Sequence, residues 1–299
     1  MQRQAPDIRG GLPPRWAAAG VGVGAVAAIV VLALAPPAPK VGAGSARSFR
    51  LPSPLPAAPA GPTRGTLAGS FQTGGRITGR PAVDGQGRAY VASHDGRLYA
   101  LSRGGTLRFE RELGAAAFGG PLLVGDRIHV GTDAGELHTF DLEGRALGRV
   151  MLPTGIERPP VVGPDGLLLV AAGRELLALA SDGTVAWRFE VYAKIFGAPA
   201  SDGQRIAFGA QDHHLYVLGP DGRKREVFNL GADVDMAPVI APDATIFVGA
   251  DDGRLHAVPP SGPVRWSVRF DGRLRAAVAL VGEDSLLLAT HGLRPGLHV

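Results

Sequence analysis

The feature that most constrains this chain is a strand–turn–strand pattern that returns about every 40 residues. Its first copy, residues 88–101 (RAYVASHDGRLYAL), contains two short strands joined by a tight His94-Asp95-Gly96 turn. Aligned copies follow at residues 127–140, 167–179, 205–218 and 245–258. A proline precedes each copy, and these prolines are 39 or 40 residues apart: Pro81, Pro121, Pro160, Pro199 and Pro238. A fixed period of this length, built from short strands, is the signature of a β-propeller with one blade per repeat.

Each repeat contains four predicted strands. The first carries the proline, which cannot donate to a ladder and therefore suits the edge strand nearest the central axis. The hairpin supplies the second and third strands. The fourth is an aromatic run, as in residues 106–112, 184–190 and 263–270. Alternation in the repeats, as at Ile128 and Val130 or at Leu255 and Ala257, indicates half-buried strands.

The two ends of the repeat region set the expected number of blades. Residues 275–280, 285–290 and 296–299 supply three strands after the last complete repeat, and the fourth is missing. Residues 66–73 form a single predicted strand before the first proline. Pairing that strand with the C-terminal three would close the ring and remove two exposed edges. We therefore predict an all-β propeller of about six four-stranded blades over residues 65–299, the last blade closed by an N-terminal strand.

A long apolar segment precedes the repeats. Residues 16–35, from Trp16 to Ala35, carry no charge over 20 residues, which is the length of a membrane-spanning helix. Two interpretations remain open: an uncleaved single-pass anchor, which the length favours, and a cleaved signal peptide. We predict a short cytoplasmic N-terminus over 1–15, a transmembrane anchor or signal segment over 16–35 and a Pro/Ala-rich linker over 36–64. The propeller is then held at the cell membrane on its extracytoplasmic, periplasmic side.

Composition excludes several classes of function. The net charge of +4 comes from scattered basic residues, so nucleic-acid binding is not predicted. The absence of cysteine excludes disulfides, a Cys-based metal site and a thiol nucleophile. No calcium-loop spacing, nucleophile elbow or phosphate-binding glycine loop occurs, and we predict no cofactor and no metal. Histidines that share one repeat position are expected to pack on third strands: His138, His256 and His298. Aspartates at the hairpin turns are expected to bond their own backbone: Asp95, Asp212 and Asp252.

The segments just before the first strands are the best candidates for binding. They are expected to point towards the central axis at one face, and they combine mixed charges with two phenylalanines. Such a surface suits a peptide or a small polar ligand. We call this set of predicted partner-binding side chains the mouth: Arg76, Phe118, Glu157, Arg158, Lys194, Phe196, Asp235, Arg273 and Arg275.

The blade pattern resembles the pyrroloquinoline-quinone-like (PQQ-like) propeller repeat. An apolar strand is followed by x-DG-x-L-Y-A-L and G-x-x-x-W, best seen in residues 90–101 and 246–266, with 183–187 keeping the aromatic end. The resemblance covers about residues 66–299. It implies relatives of two kinds. Quinone-dependent dehydrogenases of this family are typically larger, with eight blades, a calcium site and commonly a vicinal disulfide. Non-enzymatic relatives include an outer-membrane assembly scaffold and extracytoplasmic sensor domains.

We interpret the chain as a membrane-tethered, extracytoplasmic, non-enzymatic binding or scaffold module for a protein or peptide partner in the cell envelope. Its membrane contact would be made through residues 16–35. Two alternatives remain: a quinone-dependent dehydrogenase-like enzyme, and the ligand-sensing domain of a signalling system.

Overall fold

The computed structural model describes residues 70–281, 285–291 and 296–298. The predicted N-terminus, apolar segment and linker over residues 1–64 lie outside this part of the chain. Regular structure in the described residues is β-strand, apart from one short 3-10 turn at Pro164–Gly166. No helix within those residues has the length and apolarity needed to cross a membrane. The prediction of an all-β fold is confirmed.

The described strands form antiparallel sheets in chain order, five with four strands and one with three. The first sheet contains β1 (Ala82–Val83), β2 (Ala89–Ala92), β3 (Arg97–Leu101) and β4 (Leu107–Glu112). The second contains β5 (Leu122–Val124), β6 (Arg127–Gly131), β7 (Glu136–Asp141) and β8 (Ala146–Met151). The third contains β9 (Val161–Val162), β10 (Leu168–Ala172), β11 (Glu175–Leu179) and β12 (Val185–Glu190).

The remaining sheets continue the same order. The fourth contains β13 (Ala200–Ser201), β14 (Ile206–Gly209), β15 (His214–Leu218) and β16 (Lys224–Asn229). The fifth contains β17 (Val239–Ile240), β18 (Ile246–Gly249), β19 (Arg254–Val258) and β20 (Trp266–Arg269). The sixth contains β21 (Ala279–Val281), β22 (Ser285–Thr290) and β23 (Gly296–His298).

The hydrophobic core lies between neighbouring sheets. Second and third strands are buried on both faces, as in β6 and β19, because a sheet packs against each side. The prediction that these strands are half-buried is therefore wrong. In the outer strand β4, exposed positions are interrupted by half-buried ones. One cluster packs Leu169 and Leu176 of the third sheet against Phe208 and Leu218 of the fourth, and all four are fully buried. Core clusters of this kind join each pair of consecutive sheets from the first to the sixth, which makes stacking of repeats a source of stability.

Close approach around the axis requires glycine. The first strands of adjacent sheets contact one another, as β1 with β5 and β13 with β17, so they lie innermost. A Cβ on Gly119 would stand 2.6 Å from the carbonyl carbon of Arg158, and one on Gly197 would stand 2.9 Å from that of Met236. Only glycine lets the backbones pass at this spacing. The loops before the first strands are therefore packed tightly side by side.

The outer sides of the blades are joined by aromatic contacts. The Trp187 ring of β12 covers Gly222, in the β15–β16 turn of the next sheet, and a Cβ there would overlap the indole. Phe109 of β4 lies in the same way against Gly144, whose added Cβ would be 2.7 Å from the ring. Arg111 reinforces that second contact with a 2.6 Å hydrogen bond to the Gly144 carbonyl oxygen.

The sixth sheet agrees with the prediction in its second strand, Ser285–Thr290, and in its third, Gly296–His298, and differs in its first. Its first strand begins at Ala279, not at Arg275, because the backbone of Arg273 bridges to His291 and Arg275 turns towards a neighbouring loop. Of the predicted closing strand over residues 66–73, only residues 70–73 are described, and they are not in a strand. Closure of the last blade, and with it the number of complete blades, stays a prediction.

Candidate functional site

The backbone of the mouth is held by hydrogen bonds to the hairpin turns on either side. Ile195 N donates to Gly173 O of the preceding sheet at 2.8 Å, and Gln211 N of the following turn donates to Lys194 O at 2.9 Å. The next loop repeats this, with Asp251 N donating to Asp233 O at 2.9 Å. Side chains on these loops are therefore presented from a rigid frame, which lowers the ordering cost of binding.

One group of mouth residues centres on the Phe196 ring. The Arg158 guanidinium lies 4.2 Å from the ring centroid, and its Nε donates to Phe196 O at 2.7 Å. Lys194 Nζ lies 5.6 Å from the same centroid and pairs with Glu157 Oε1 at 2.7 Å. Two cations from neighbouring loops thus lie near one aromatic ring, at distances that favour cation–π attraction.

Arg158 differs from Lys194 in its neighbours. Burial lowers the pKa of Arg158, and the acidic Glu157 and Asp235 oppose that shift. Within the described residues no carboxylate lies at ion-pair distance from its guanidinium, so the terminal nitrogens remain available to a ligand. Such a partly desolvated guanidinium matches a carboxylate bidentately.

The second group centres on Asp235, which is only 3% exposed. Gln211 Nε2 donates to its Oδ1 at 3.0 Å, and Arg275 Nη2 lies 3.5 Å from its Oδ2. Burial raises the pKa of Asp235, while the Gln211 hydrogen bond opposes this. Arg275 also forms two hydrogen bonds with Asp251, at 3.1 and 2.6 Å. Hydrogen bonding to Asp251 raises the pKa of Arg275. Asp235 is thus a buried partner of this network and not an open surface charge.

Of the remaining predicted residues, Arg273 joins the second group through Asp251, whereas Phe118 and Arg76 lie apart from both groups. Phe118 contacts His94 edge to face at 4.5 Å, and Thr78 bonds both His94 Nε2 and the Phe118 carbonyl oxygen. Arg273 donates to Asp251 Oδ2 at 3.1 Å. Arg76 is exposed. The structure therefore places seven of the nine predicted side chains in two groups, one around Phe196 and one around Asp235 and Asp251, and leaves Phe118 and Arg76 outside them.

Two participants were missed from the sequence. Gln211 and Asp251 belong to hairpin turns, where an aspartate was expected only to stabilise its own turn. The available signal was their position: each follows the second strand of its repeat after one intervening residue, in a turn that is hydrogen-bonded to a mouth loop.

The predictions for turn aspartates and third-strand histidines are confirmed where the side chains are described. Asp95, Asp212 and Asp252 each accept a hydrogen bond from the backbone nitrogen two residues later. His138 and His256 are buried on β7 and β19. In the described part of the chain, no group of three or more His, Asp or Glu is placed to hold a metal ion.

The fold and its loops define the class of this protein: a repeat β-propeller that presents a preformed polar and aromatic surface. The chain belongs to the family of PQQ-like repeat proteins whose model is described as outer membrane protein assembly factor BamB. That model matches residues 58–147 and 133–225, which together exceed half of the chain. The resemblance inferred from the repeat is confirmed.

Individual relatives are distant. Outer membrane protein assembly factor BamB of Burkholderia pseudomallei (strain K96243) is 24% identical over 140 residues, which is 44% of this chain and 36% of that protein. The chain therefore aligns with only about a third of that relative's length. The crystal structure of BamB from Moraxella catarrhalis superposes with a TM-score of 0.54 and 19% identity, covering 74% of this chain and 82% of that one. BBS1N, solved in complex with ARL6DN, gives a TM-score of 0.59 and 19% identity, covering 72% and 75%. These two structures show that the propeller fold is shared.

Proposed function

We propose that this protein is a membrane-tethered, extracytoplasmic binding module that holds a protein or peptide partner of the cell envelope at the mouth, without catalysing a reaction. Family membership supports an assembly or scaffold role, because the matching model is described by such a factor. Residues 16–35 would supply the tether, and residues 36–64 the spacer that holds the propeller away from the membrane.

The observation that carries the proposal is the pair formed by Arg158 and Phe196. The guanidinium stacks on the ring, lies among loops fixed by backbone hydrogen bonds and has terminal nitrogens free for a ligand. Arginine and aromatic side chains in preformed surroundings are the residues that dominate protein interfaces. An acidic side chain or a C-terminal carboxylate of the partner would meet Arg158.

The test is crosslinking and recovery of the full-length protein from envelope membranes. Wild type is compared with Arg158→Ala and with the double variant Arg76→Glu/Lys194→Glu. Arg223→Glu serves as the matched control, because it makes the same charge reversal on a side chain that is 89% exposed in a turn between third and fourth strands. We expect one defined partner with wild type and the control, and at least a fivefold loss with both mouth variants.

Equal recovery from all four proteins would show that the mouth is not the binding surface. A purified protein with quinone-like absorbance and no captured partner would contradict the scaffold role and favour the dehydrogenase alternative.

A further inference from the structure

The repeats provide an internal standard for what each position needs for folding. At the position of Tyr192 the other four described repeats have Gly114, Pro153, Gly231 and Asp271. Tyr192 is nevertheless 88% exposed, more than any other large apolar side chain in the described part of the chain. The turn does not need an aromatic residue here, and leaving its ring in water gains nothing for the fold.

His213, in the next hairpin turn, is a second residue that differs from its equivalents in the other repeats. The equivalent turn residues are Gly96, Gly135 and Gly253, all with positive φ. His213 holds φ at +71°, a region that side-chain-bearing residues rarely adopt. Backbone strain of this kind persists where surrounding structure enforces it and is concentrated at functional sites.

Tyr192 and His213, the two residues that differ from their repeat equivalents, lie close together in the structure. Tyr192 N donates to Asp212 Oδ2 at 3.3 Å, and Asp212 is the residue before His213. His213 Nε2 lies 3.3 Å from Asp233 Oδ1, with 53% of the imidazole and 40% of the Asp233 side chain exposed. Among the described residues, no lysine or arginine lies at ion-pair distance from Asp233. Tyr192 and Asp233 therefore both contact the Asp212-His213 turn, Tyr192 through its backbone nitrogen and Asp233 through its carboxylate, and both side chains are exposed.

We infer that Tyr192 and Asp233 form a docking point for a lysine or arginine side chain of a protein segment, with His213 positioning the Asp233 carboxylate. The Tyr192 ring offers its face to the cation, and Asp233 supplies the opposite charge. The carboxylates of Asp212 and Asp233 disfavour an acidic segment at this point. The inference rests on the proposed function only in taking the partner to be a protein. It adds a second contact, which binds a basic side chain of the partner, whereas Arg158 is expected to bind an acidic one.

The test uses the full-length protein in detergent micelles and three fluorescein-labelled peptides of sequence GSGXGSGXGSG, where X is arginine, citrulline or glutamate. Citrulline keeps the shape of arginine and removes its charge. By fluorescence anisotropy we expect the arginine peptide to bind at least fivefold more tightly than the other two. Tyr192→Gly and Asp233→Asn should each weaken that binding at least fivefold. The matched controls Met151→Ala and Asp221→Asn, which change an exposed apolar and an exposed acidic residue elsewhere, should leave it unchanged.

His213→Gly separates binding from folding. Glycine relieves the left-handed backbone, so we expect Tm to rise while affinity for the arginine peptide falls. Equal binding of arginine and citrulline peptides, or wild-type affinity in Tyr192→Gly and Asp233→Asn, would overturn the inference. These titrations use synthetic peptides and the crosslinking uses envelope membranes, so the two experiments are independent. A negative peptide titration leaves the proposed role of Arg158 standing, and a negative crosslinking result leaves the docking point at Tyr192 and Asp233 standing.

Discussion

His129 shows how a single buried side chain ties stability to pH. It lies on β6, is almost fully buried and shares a 3.0 Å hydrogen bond with Thr139 Oγ1. Equivalent positions in other repeats are apolar or aromatic, as in Leu169 and Phe247. Burial, with a smaller contribution from the Arg127 charge, lowers the pKa of His129 to about 4.

We predict that the free energy of unfolding falls as the pH drops from about 6.5 to about 4. In that window the unfolded chain takes up a proton at His129 that the folded protein does not bind, so acid favours unfolding. The effect should reach about 2 kcal/mol at pH 4 after partial solvent screening. Urea unfolding at pH 7 and pH 4 measures it, with His129→Leu as the comparison. An equal loss of stability in wild type and variant would contradict the prediction.

The role of the turn aspartates could be predicted from the sequence, but the contact made by the mouth residue Arg158 could not. Asp95 and Asp252 bond backbone only two residues away, so their role follows from local geometry alone. The stacking of Arg158 on Phe196 joins loops of two repeats and depends on the angle between sheets. Sequence reasoning placed both residues at the mouth without assigning the contact between them.

Between elements, the contact of Trp187 with Gly222 joins the outer sides of adjacent blades. Gly203 offers a matched control, because its φ is +85° and an added Cβ would meet nothing within 4 Å, whereas Gly222 has φ +76° and faces the indole. The two glycines therefore separate backbone strain from steric overlap.

We predict that Gly203→Ala lowers the free energy of unfolding by about 1 kcal/mol, the cost of a left-handed alanine. Gly222→Ala should cost about 1–3 kcal/mol more, because the methyl group displaces Trp187. Chemical denaturation of the two variants measures the difference. In a Trp187→Ala background the extra cost should disappear, and equal costs at both glycines would refute this account of the interblade contact.

Strand positions were predicted well because short apolar runs bounded by turn residues recur at a fixed period. The second strand of the sixth sheet, Ser285–Thr290, was predicted over the same residues. Its first strand was predicted four residues too early, because the paired Arg275 reads as a strand residue in sequence and is drawn to Asp251 in space.

For the whole propeller, the predicted closing strand over residues 66–73 can be tested by truncation. We compare chains that begin at Gly65 and at Ser70. If residues 66–69 complete the last blade, their loss leaves the β23 edge open and should lower Tm by about 5 °C, given the scaling for a domain of this size. Differential scanning calorimetry measures the shift, and removal of residues 36–64 alone is the control. Equal Tm values for the two truncated chains would rule out a structural role for residues 66–69.

The repeat period, the all-β fold, the turn chemistry and the face that carries the mouth could be read from the sequence. Each depends on spacing within one repeat: short apolar runs bounded by turn residues, glycine at positive φ, and aspartate reaching its own backbone. Charge pairing at the mouth depended on tertiary structure. Lys194 with Glu157 and Arg275 with Asp251 join loops that come together only when the sheets stack. That stacking decides which charges are neutralised, which one is buried at Asp235 and which side chains are left for a partner.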